Sequence, residues 1–101
     1  MKPISAEKII QLMEGLRLGD SLAFKIQETF GVRFAIIELN SNYPQKHQSK
    51  YLLRWGKDEE SARKDRPLVA SDKSRYLAAW LAERAPVLIE DALGSEDIKA
   101  A

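Results

Sequence analysis

Val32-Arg33-Phe34-Ala35-Ile36-Ile37-Glu38-Leu39 is the stretch of this sequence that decides the fold class. It is rich in β-branched and aromatic residues, which predicts a β-strand over residues 32–39. Side chains of a strand alternate between the two faces of its sheet, and both faces are apolar here. One face carries Val32, Phe34 and Ile36, and the other carries Ala35, Ile37 and Leu39. Such a strand has to be covered on both sides, by helices of the same chain or by a second copy.

Upstream of this strand the sequence predicts two helices joined as an αα-hairpin. Ser5 is a suitable N-cap, and the apolar residues after it have helical spacing, which predicts a first helix over residues 5–17. A second helix is predicted to begin at Asp20 or Ser21 and to end at Gly31. Its apolar stripe consists of Leu22, Ala23, Ile26 and Phe30.

Downstream, residues 50–57 predict a second strand with clean alternation. Tyr51, Leu53 and Trp55 face one way, and Lys50, Leu52 and Arg54 face the other. Residues 58–66 are a charged run and are expected to form an exposed loop. Residues 67–70 have the character of a short third strand, with proline at the first position, where a missing donor is tolerated.

The last helix is predicted to begin at Ser71 and to end at Gly94, with a kink at Pro86, because proline interrupts the backbone hydrogen bonds. The predicted fold class is therefore α+β. It comprises an N-terminal αα-hairpin, a two- or three-stranded antiparallel sheet and a C-terminal helix kinked near Pro86. Residues 1–94 are expected to form one globular domain, and residues 95–101 a polar, frayed tail.

Composition bounds the class of protein. The chain has 101 residues, no cysteine and a formal net charge of +1. Its apolar runs, such as Phe34-Ala35-Ile36-Ile37, are far shorter than the ~20 residues that cross a bilayer, and no secretory signal follows Met1. We therefore expect a cytoplasmic protein with no membrane partner.

Charge is distributed unevenly along the chain. Residues 31–57 carry five basic side chains against one acidic, whereas residues 76–101 carry two basic against five acidic. A solvated surface of mixed charge is one interpretation of this pattern. The other is a basic surface that meets an anion or the acidic end of another copy.

Recognised motifs for catalysis or metal binding are absent from the sequence. The single histidine, His47, lies in a predicted polar loop without an orienting carboxylate, and Asp58-Glu59-Glu60 matches no metal-ligand spacing. No phosphate-binding glycine loop and no nucleophile motif is present. We therefore predict no catalytic, cofactor or metal site, and a protein that is not an enzyme.

Most aromatic side chains are predicted to lie in the core, because their spacing places them on apolar faces. These are Phe24, Phe30, Phe34, Trp55, Tyr76 and Trp80. Tyr43, in a predicted turn beside Pro44, is the aromatic expected to be most exposed. The aliphatic core is predicted to include Ile9, Leu12, Leu16, Ile26, Leu53, Leu77 and Leu81.

The hairpin formed by the two predicted strands is the candidate functional surface. Pairing them brings Leu52, between Lys50 and Arg54, beside one apolar face of the first strand, so this surface is apolar and basic together. Such surfaces are typical of interfaces. We expect a small non-catalytic protein–protein interaction or regulatory module, with self-association as one form of contact. The predicted partner-binding residues are Arg33, Tyr43, Lys50, Leu52, Arg54 and Trp55.

Nucleic-acid binding is the alternative function, in two forms. Residues 20–32 resemble the first helix and turn of a helix-turn-helix, and residues 33–41, if helical, would supply its recognition helix. In the second form, a single strand binds to a basic sheet surface. The residues of that surface are Arg33, Tyr43, Lys50 and Arg54. A strand at residues 33–41 excludes the first form.

Overall fold

The α+β class is confirmed by a computed structural model, which describes residues 4–45, 48–70, 73–84 and 87–90. Its elements are α1 (Ala6–Glu14), β1 (Ser21–Glu28), β2 (Gly31–Leu39), β3 (Tyr51–Gly56), α2 (Glu59–Lys64), β4 (Leu68–Ala70), α3 (Ser74–Arg84) and β5 (Val87–Glu90). All five strands belong to one antiparallel sheet in the order β4-β3-β2-β1-β5. The central strand β2 is the strand predicted over residues 32–39.

The two apolar faces of β2 are covered from opposite sides of the sheet. The helices α1 and α3 pack on one side and form the main core with it. Its buried members from the sheet are Leu22, Phe24, Ile26, Ala35, Ile37, Tyr51, Leu53, Ala70 and Val87, and those from the helices are Ile9, Leu12, Met13, Leu77, Ala78 and Leu81. The short helix α2 packs on the other side, where Ala62 contacts Ala23 and Ile36.

The first predicted helix is confirmed as α1. Its N-cap is Ser5, whose hydroxyl accepts a hydrogen bond from the Lys8 backbone N–H at 3.2 Å. The buried residues Ile9, Leu12 and Met13 lie on the face that packs against the sheet.

The second predicted helix is wrong, and with it the αα-hairpin. Residues 21–28 form strand β1, which pairs with β2 along its whole length. Leu22 and Ile26 fit the helical spacing of four, but they also fit a strand in which Phe24 shares their face. Pairing with β2 decides between the two, and a local pattern does not contain that information.

The charged run after β3 is also not a loop. Residues 59–64 form α2, and Asp58 is its N-cap, accepting a hydrogen bond from the Ser61 backbone N–H at 2.7 Å. Hydrogen bonding from Ser61 lowers the pKa of the Asp58 carboxyl. Two ion pairs one helical turn apart join the charged side chains of this helix, Arg63 with Glu59 at 2.7 Å and Lys64 with Glu60 at 3.0 Å.

The predicted kinked C-terminal helix is wrong beyond Arg84, where α3 ends. Residues 87–90 form strand β5 on the outer edge of β1, with Ile26 opposite Val87. The apolar run from Val87 to Ile89 is compatible with either structure, and its place beside a distant strand favours the sheet. Ser71, Pro86 and the tail at 91–101 lie outside the described residues.

The predicted third strand at residues 67–70 is confirmed as β4. With β1 and β5 the sheet has five strands among the described residues, rather than the predicted two or three. Because residues 21–28 and 31–39 are both strands, the helix-turn-helix form of the nucleic-acid alternative is excluded.

Burial agrees with most of the predicted core. Ile9, Leu12, Ile26, Leu53, Leu77 and Leu81 are buried, whereas Leu16, Phe34, Trp55 and Trp80 are partly buried. The predictions for Phe30 and Tyr76 are wrong. Phe30 is fully exposed because it lies in the two-residue turn between β1 and β2, and Tyr76 on α3 is 66% exposed. Both are more exposed than Tyr43, which is 42% exposed and was predicted to be the most exposed aromatic residue.

Candidate functional site

The six predicted partner-binding residues do not lie on one surface. Leu52 and Arg54 face the side of the sheet that carries α2. Trp55, one residue further along β3, faces the side that carries α1 and α3, as does Arg33 on β2. Tyr43 and Lys50 lie at the other end of the sheet, in the connection between β2 and β3.

Arg54 takes part in internal contacts. Its Nε donates to Glu38 Oε1 on the neighbouring strand at 2.7 Å, and its Nη1 donates to the backbone carbonyl of Asp65 at 2.7 Å. The second bond fixes the chain just after α2. Arg54 therefore holds α2 onto the sheet, and part of its hydrogen-bonding capacity is already used.

The connection that carries Tyr43 is held by a buried asparagine. Asn40 accepts a hydrogen bond from the Asn42 backbone N–H at 3.0 Å and donates from Nδ2 to the Ser49 carbonyl at 3.0 Å. Lys50 lies over the ring of Tyr51, 5.5 Å from its centroid. His47 falls outside the described residues.

A cleft opens at the end of the sheet where β1 turns into β2, on the side of α3. We call it the tryptophan cleft; it has a volume of about 380 Å³. Its lining residues are Ile26, Glu28, Arg33, Trp55, Leu68, Trp80 and Arg84. Two of the predicted residues, Arg33 and Trp55, are among them.

Strand register and helical spacing together assemble this cleft. Ile26 lies opposite Arg33 across β1 and β2, and Trp55 lies opposite Ala35 on the next strand. Trp80 and Arg84 are one turn apart on α3 and share a face of the helix. The cleft therefore draws on four strands of the sheet and one helix.

The two tryptophans form the wall of the cleft. The ring centroids of Trp55 and Trp80 are 5.2 Å apart with an interplanar angle of 69°, an edge-to-face arrangement. The guanidinium carbon of Arg84 lies 4.4 Å from the centroid of Trp80. Because aromatic rings and a guanidinium meet here, the cleft suits a ligand that combines an apolar group with an anion.

A second hollow of about 200 Å³ lies beside the tryptophan cleft, between the edge strand β4 and the helix α3. We call it the β4–α3 groove. Its lining residues are Leu53, Leu68, Val69, Ala70, Tyr76, Leu77 and Trp80. Leu68 and Trp80 line both hollows, so the two form one continuous surface.

Exposed apolar side chains border this groove. Leu68 is 53% exposed and Tyr76 is 66% exposed. Val69 lies opposite Leu52 in the register, so its side chain faces the side of the sheet that carries α2. Two large apolar side chains, Leu68 and Tyr76, are therefore exposed around one hollow, and exposed apolar side chains of this kind are typical of a binding surface.

Sequence reasoning missed Glu28, Trp80 and Arg84 as site residues. Trp80 was expected in the core, and Glu28 in a helix. The spacing of Trp80 and Arg84, one helical turn apart, was the available signal. It identifies a shared face of α3, but the position of that face over the end of the sheet depends on tertiary packing.

Within the described part of the chain, no group of three or more His, Asp or Glu side chains is arranged to hold a metal ion. No helix among the described residues is long and apolar enough to cross a membrane. No protein-family model, curated protein or solved structure matches the chain.

Proposed function

We propose that the chain is a non-catalytic protein-interaction module, and that it binds an extended segment of a partner protein in the β4–α3 groove. The observation that carries this proposal is an edge strand beside an apolar groove. Strand β4 forms one wall, α3 forms the other, and exposed apolar side chains border the space between them.

Strand β4 offers backbone hydrogen bonds to such a segment. In the described residues it pairs with β3 on one side and is the last strand of the sheet on the other. The outer backbone groups of an edge strand are a template for an added strand. A partner segment in extended conformation would continue the sheet from β4 toward α3.

The groove offers the apolar contacts that such pairing needs for specificity. Alternate side chains of an added strand point to one face of the sheet. On the side of α3 they would meet Tyr76, Leu77 and Trp80, with Leu53 behind them. The backbone bonds supply affinity for any extended segment, and the groove selects those with apolar residues at alternate positions.

The test is selection of peptides from a displayed random library on the full chain. We expect enriched peptides with apolar residues at alternate positions. Their binding should be lost in Leu68→Arg, which places a charge on the border of the groove. The matched control is Leu18→Arg, which makes the same change at a leucine that is 77% exposed and does not line the groove. Equal binding to both variants, or no enrichment, would contradict the proposal.

Strand addition has a further signature in the peptide itself. Alternate backbone N–H groups of an edge-paired peptide point toward the protein, and the others point away. N-methylation at the first set should abolish binding, whereas N-methylation one residue further should leave it largely intact. If both modified peptides bound equally well, the segment would not pair with β4.

Nucleic-acid binding to a basic sheet surface has weaker support. Of the residues that this form requires, Arg33 lies on the opposite face of the sheet from Arg54, and Arg54 contacts Glu38 and Asp65. A titration with random single-stranded oligonucleotides at two salt concentrations tests it. Tight, steeply salt-dependent binding that Lys50→Ala weakens would favour this alternative over a peptide.

A further inference from the structure

Arg84 lines the tryptophan cleft, and in the described part of the chain its guanidinium takes part in no hydrogen bond or ion pair. Its guanidinium lies over the Trp80 ring, and none of the ion pairs among the described residues includes it. A contact with the face of an aromatic ring holds a guanidinium in place without occupying its N–H donors. Those donors are suited to a carboxylate, which they bind through two parallel hydrogen bonds.

The other two charged residues of the tryptophan cleft are only weakly paired. Arg33 Nε and Glu28 Oε2 are 4.0 Å apart, and the side chains are 54% and 44% exposed. An exposed pair at that distance contributes little stability. The cleft therefore carries two guanidinium groups and one carboxylate around its tryptophan wall, with an excess of positive charge.

From this charge complementarity, and resting on the proposed function, we infer that the partner segment is acidic at the end that enters the tryptophan cleft. An Asp or Glu side chain of the segment binds the Arg84 guanidinium, and Arg33 adds to the attraction. The apolar residues of the same segment lie in the β4–α3 groove, which is continuous with the cleft through Leu68 and Trp80. Glu28 repels this carboxylate, so it favours segments with one acidic residue over strongly acidic ones.

The experiment uses the tightest peptide recovered from the random library, labelled with fluorescein, and the full chain. Each acidic residue of the peptide is replaced by its amide, Asp by Asn or Glu by Gln, which keeps the shape and removes the charge. We expect one such change to weaken binding roughly 10-fold to 100-fold, the effect of losing a hydrogen bond to a charged group. The same change should have little effect on binding to Arg84→Gln.

Two protein variants give effects of opposite sign. Arg84→Gln should weaken binding of the acidic peptide, whereas Glu28→Gln should strengthen it by removing a like charge. Lys64→Gln is the matched control, because it removes a positive charge from α2, on the other side of the sheet. Binding should also weaken as salt is raised in the wild type, and less so in Arg84→Gln.

The outcomes separate this inference from the proposal on which it rests. Enriched peptides whose binding is lost in Leu68→Arg support the proposed function. If replacing the acidic residues of those peptides does not change their affinity, the inference is overturned and the proposed function stands. If no peptide depends on Leu68, the proposed function itself falls. Binding of single-stranded oligonucleotide that Arg84→Gln abolishes would assign the cleft to nucleic acid instead.

Discussion

At the scale of single residues, Arg54, a predicted partner-binding residue, also makes two hydrogen bonds within the chain. Alternation along β3 correctly predicted that Arg54 shares a face of the sheet with Leu52. Its hydrogen-bond partners could not be identified from the sequence. Glu38 is its neighbour only through strand pairing, and the Asp65 carbonyl is reached only because residues 59–64 are helical. The side chains of Arg54 and Glu38 are 24% and 31% exposed, so the pair is partly shielded from water.

We therefore expect Arg54→Met to lower the free energy of unfolding by about 1–3 kcal/mol, since hydrogen bonds to charged groups contribute on that order. Urea denaturation followed by circular dichroism measures it. Arg33→Met is the matched control and should change stability by less than about 1 kcal/mol, because its pair with Glu28 is exposed. Equal effects of the two substitutions would mean that the Arg54 contacts do not hold α2 to the sheet.

The tryptophan cleft marks the limit of residue-level prediction. Alternation along β3 placed Trp55 on the same face as Tyr51 and Leu53, which is what the structure has. Its edge-to-face contact with Trp80 joins a strand to a helix that lies well downstream. No periodicity links positions that far apart, so the sequence indicated Arg33 and Trp55 as site residues but not their place beside Trp80 and Arg84.

At the scale of elements, a helix or strand was predicted correctly where its local sequence pattern agreed with its tertiary packing. Helix α1 has a cap, a helical apolar stripe and no competing pattern, and it was predicted correctly. Strand β1 has apolar residues that fit both periods, and its pairing with β2 decided the structure. Strand β5 is a short apolar run whose place on the edge of β1 has no local signal at all.

Helix α2 packs so closely against β3 at Gly56 that no side chain fits between them. A Cβ atom at Gly56 would overlap the backbone of Ala62 and would lie 2.8 Å from its Cα. Neither strand nor helix backbone can yield without moving α2 away from the sheet. The close approach of α2 to β3 therefore depends on glycine at this position.

We expect Gly56→Ala to lower the free energy of unfolding by about 1–3 kcal/mol, the usual cost of forcing an extra group into a packed site. Thermal and urea denaturation would measure the loss. Gly15→Ala adds the same methyl group at the end of α1, where the nearest atom is 3.5 Å away and the backbone is helical. That control should be neutral or stabilise by up to about 1 kcal/mol. A neutral Gly56→Ala would show that α2 does not lie this close to the strand.

At the scale of the whole molecule, the two sides of the sheet differ in how many buried side chains pack against them. The side with α1 and α3 holds the main core, in which Tyr51 also donates a hydrogen bond from its hydroxyl to the Met13 carbonyl at 3.2 Å. The side with α2 holds a cluster of Ala23, Ile36 and Ala62, with Phe34 packed beside it. The prediction that β2 needs cover on both faces was correct, but α2, which supplies the second cover, was expected to be a loop.

The difference in packing between the two sides can be tested by shortening two adjacent side chains of β2. Ile36 and Ile37 are 2% and 0% exposed, and they point to opposite sides of the same strand. Replacing either with alanine removes the same atoms, so the difference reflects only how each side responds to the space that is left.

Ile37→Ala should therefore cost more than Ile36→Ala. The main core is packed by two helices and by residues from all five described strands, so a cavity at Ile37 would persist, and we expect a loss of about 3–5 kcal/mol. Over Ile36 lies a helix of six residues with one buried alanine, which can settle toward the sheet, so about 2–3 kcal/mol is expected. Urea denaturation of both variants, with unchanged dependence on denaturant concentration, gives the comparison. A larger loss for Ile36→Ala would mean that α2 is packed as rigidly as the main core, and the fold would then have two layers of equal strength around one sheet.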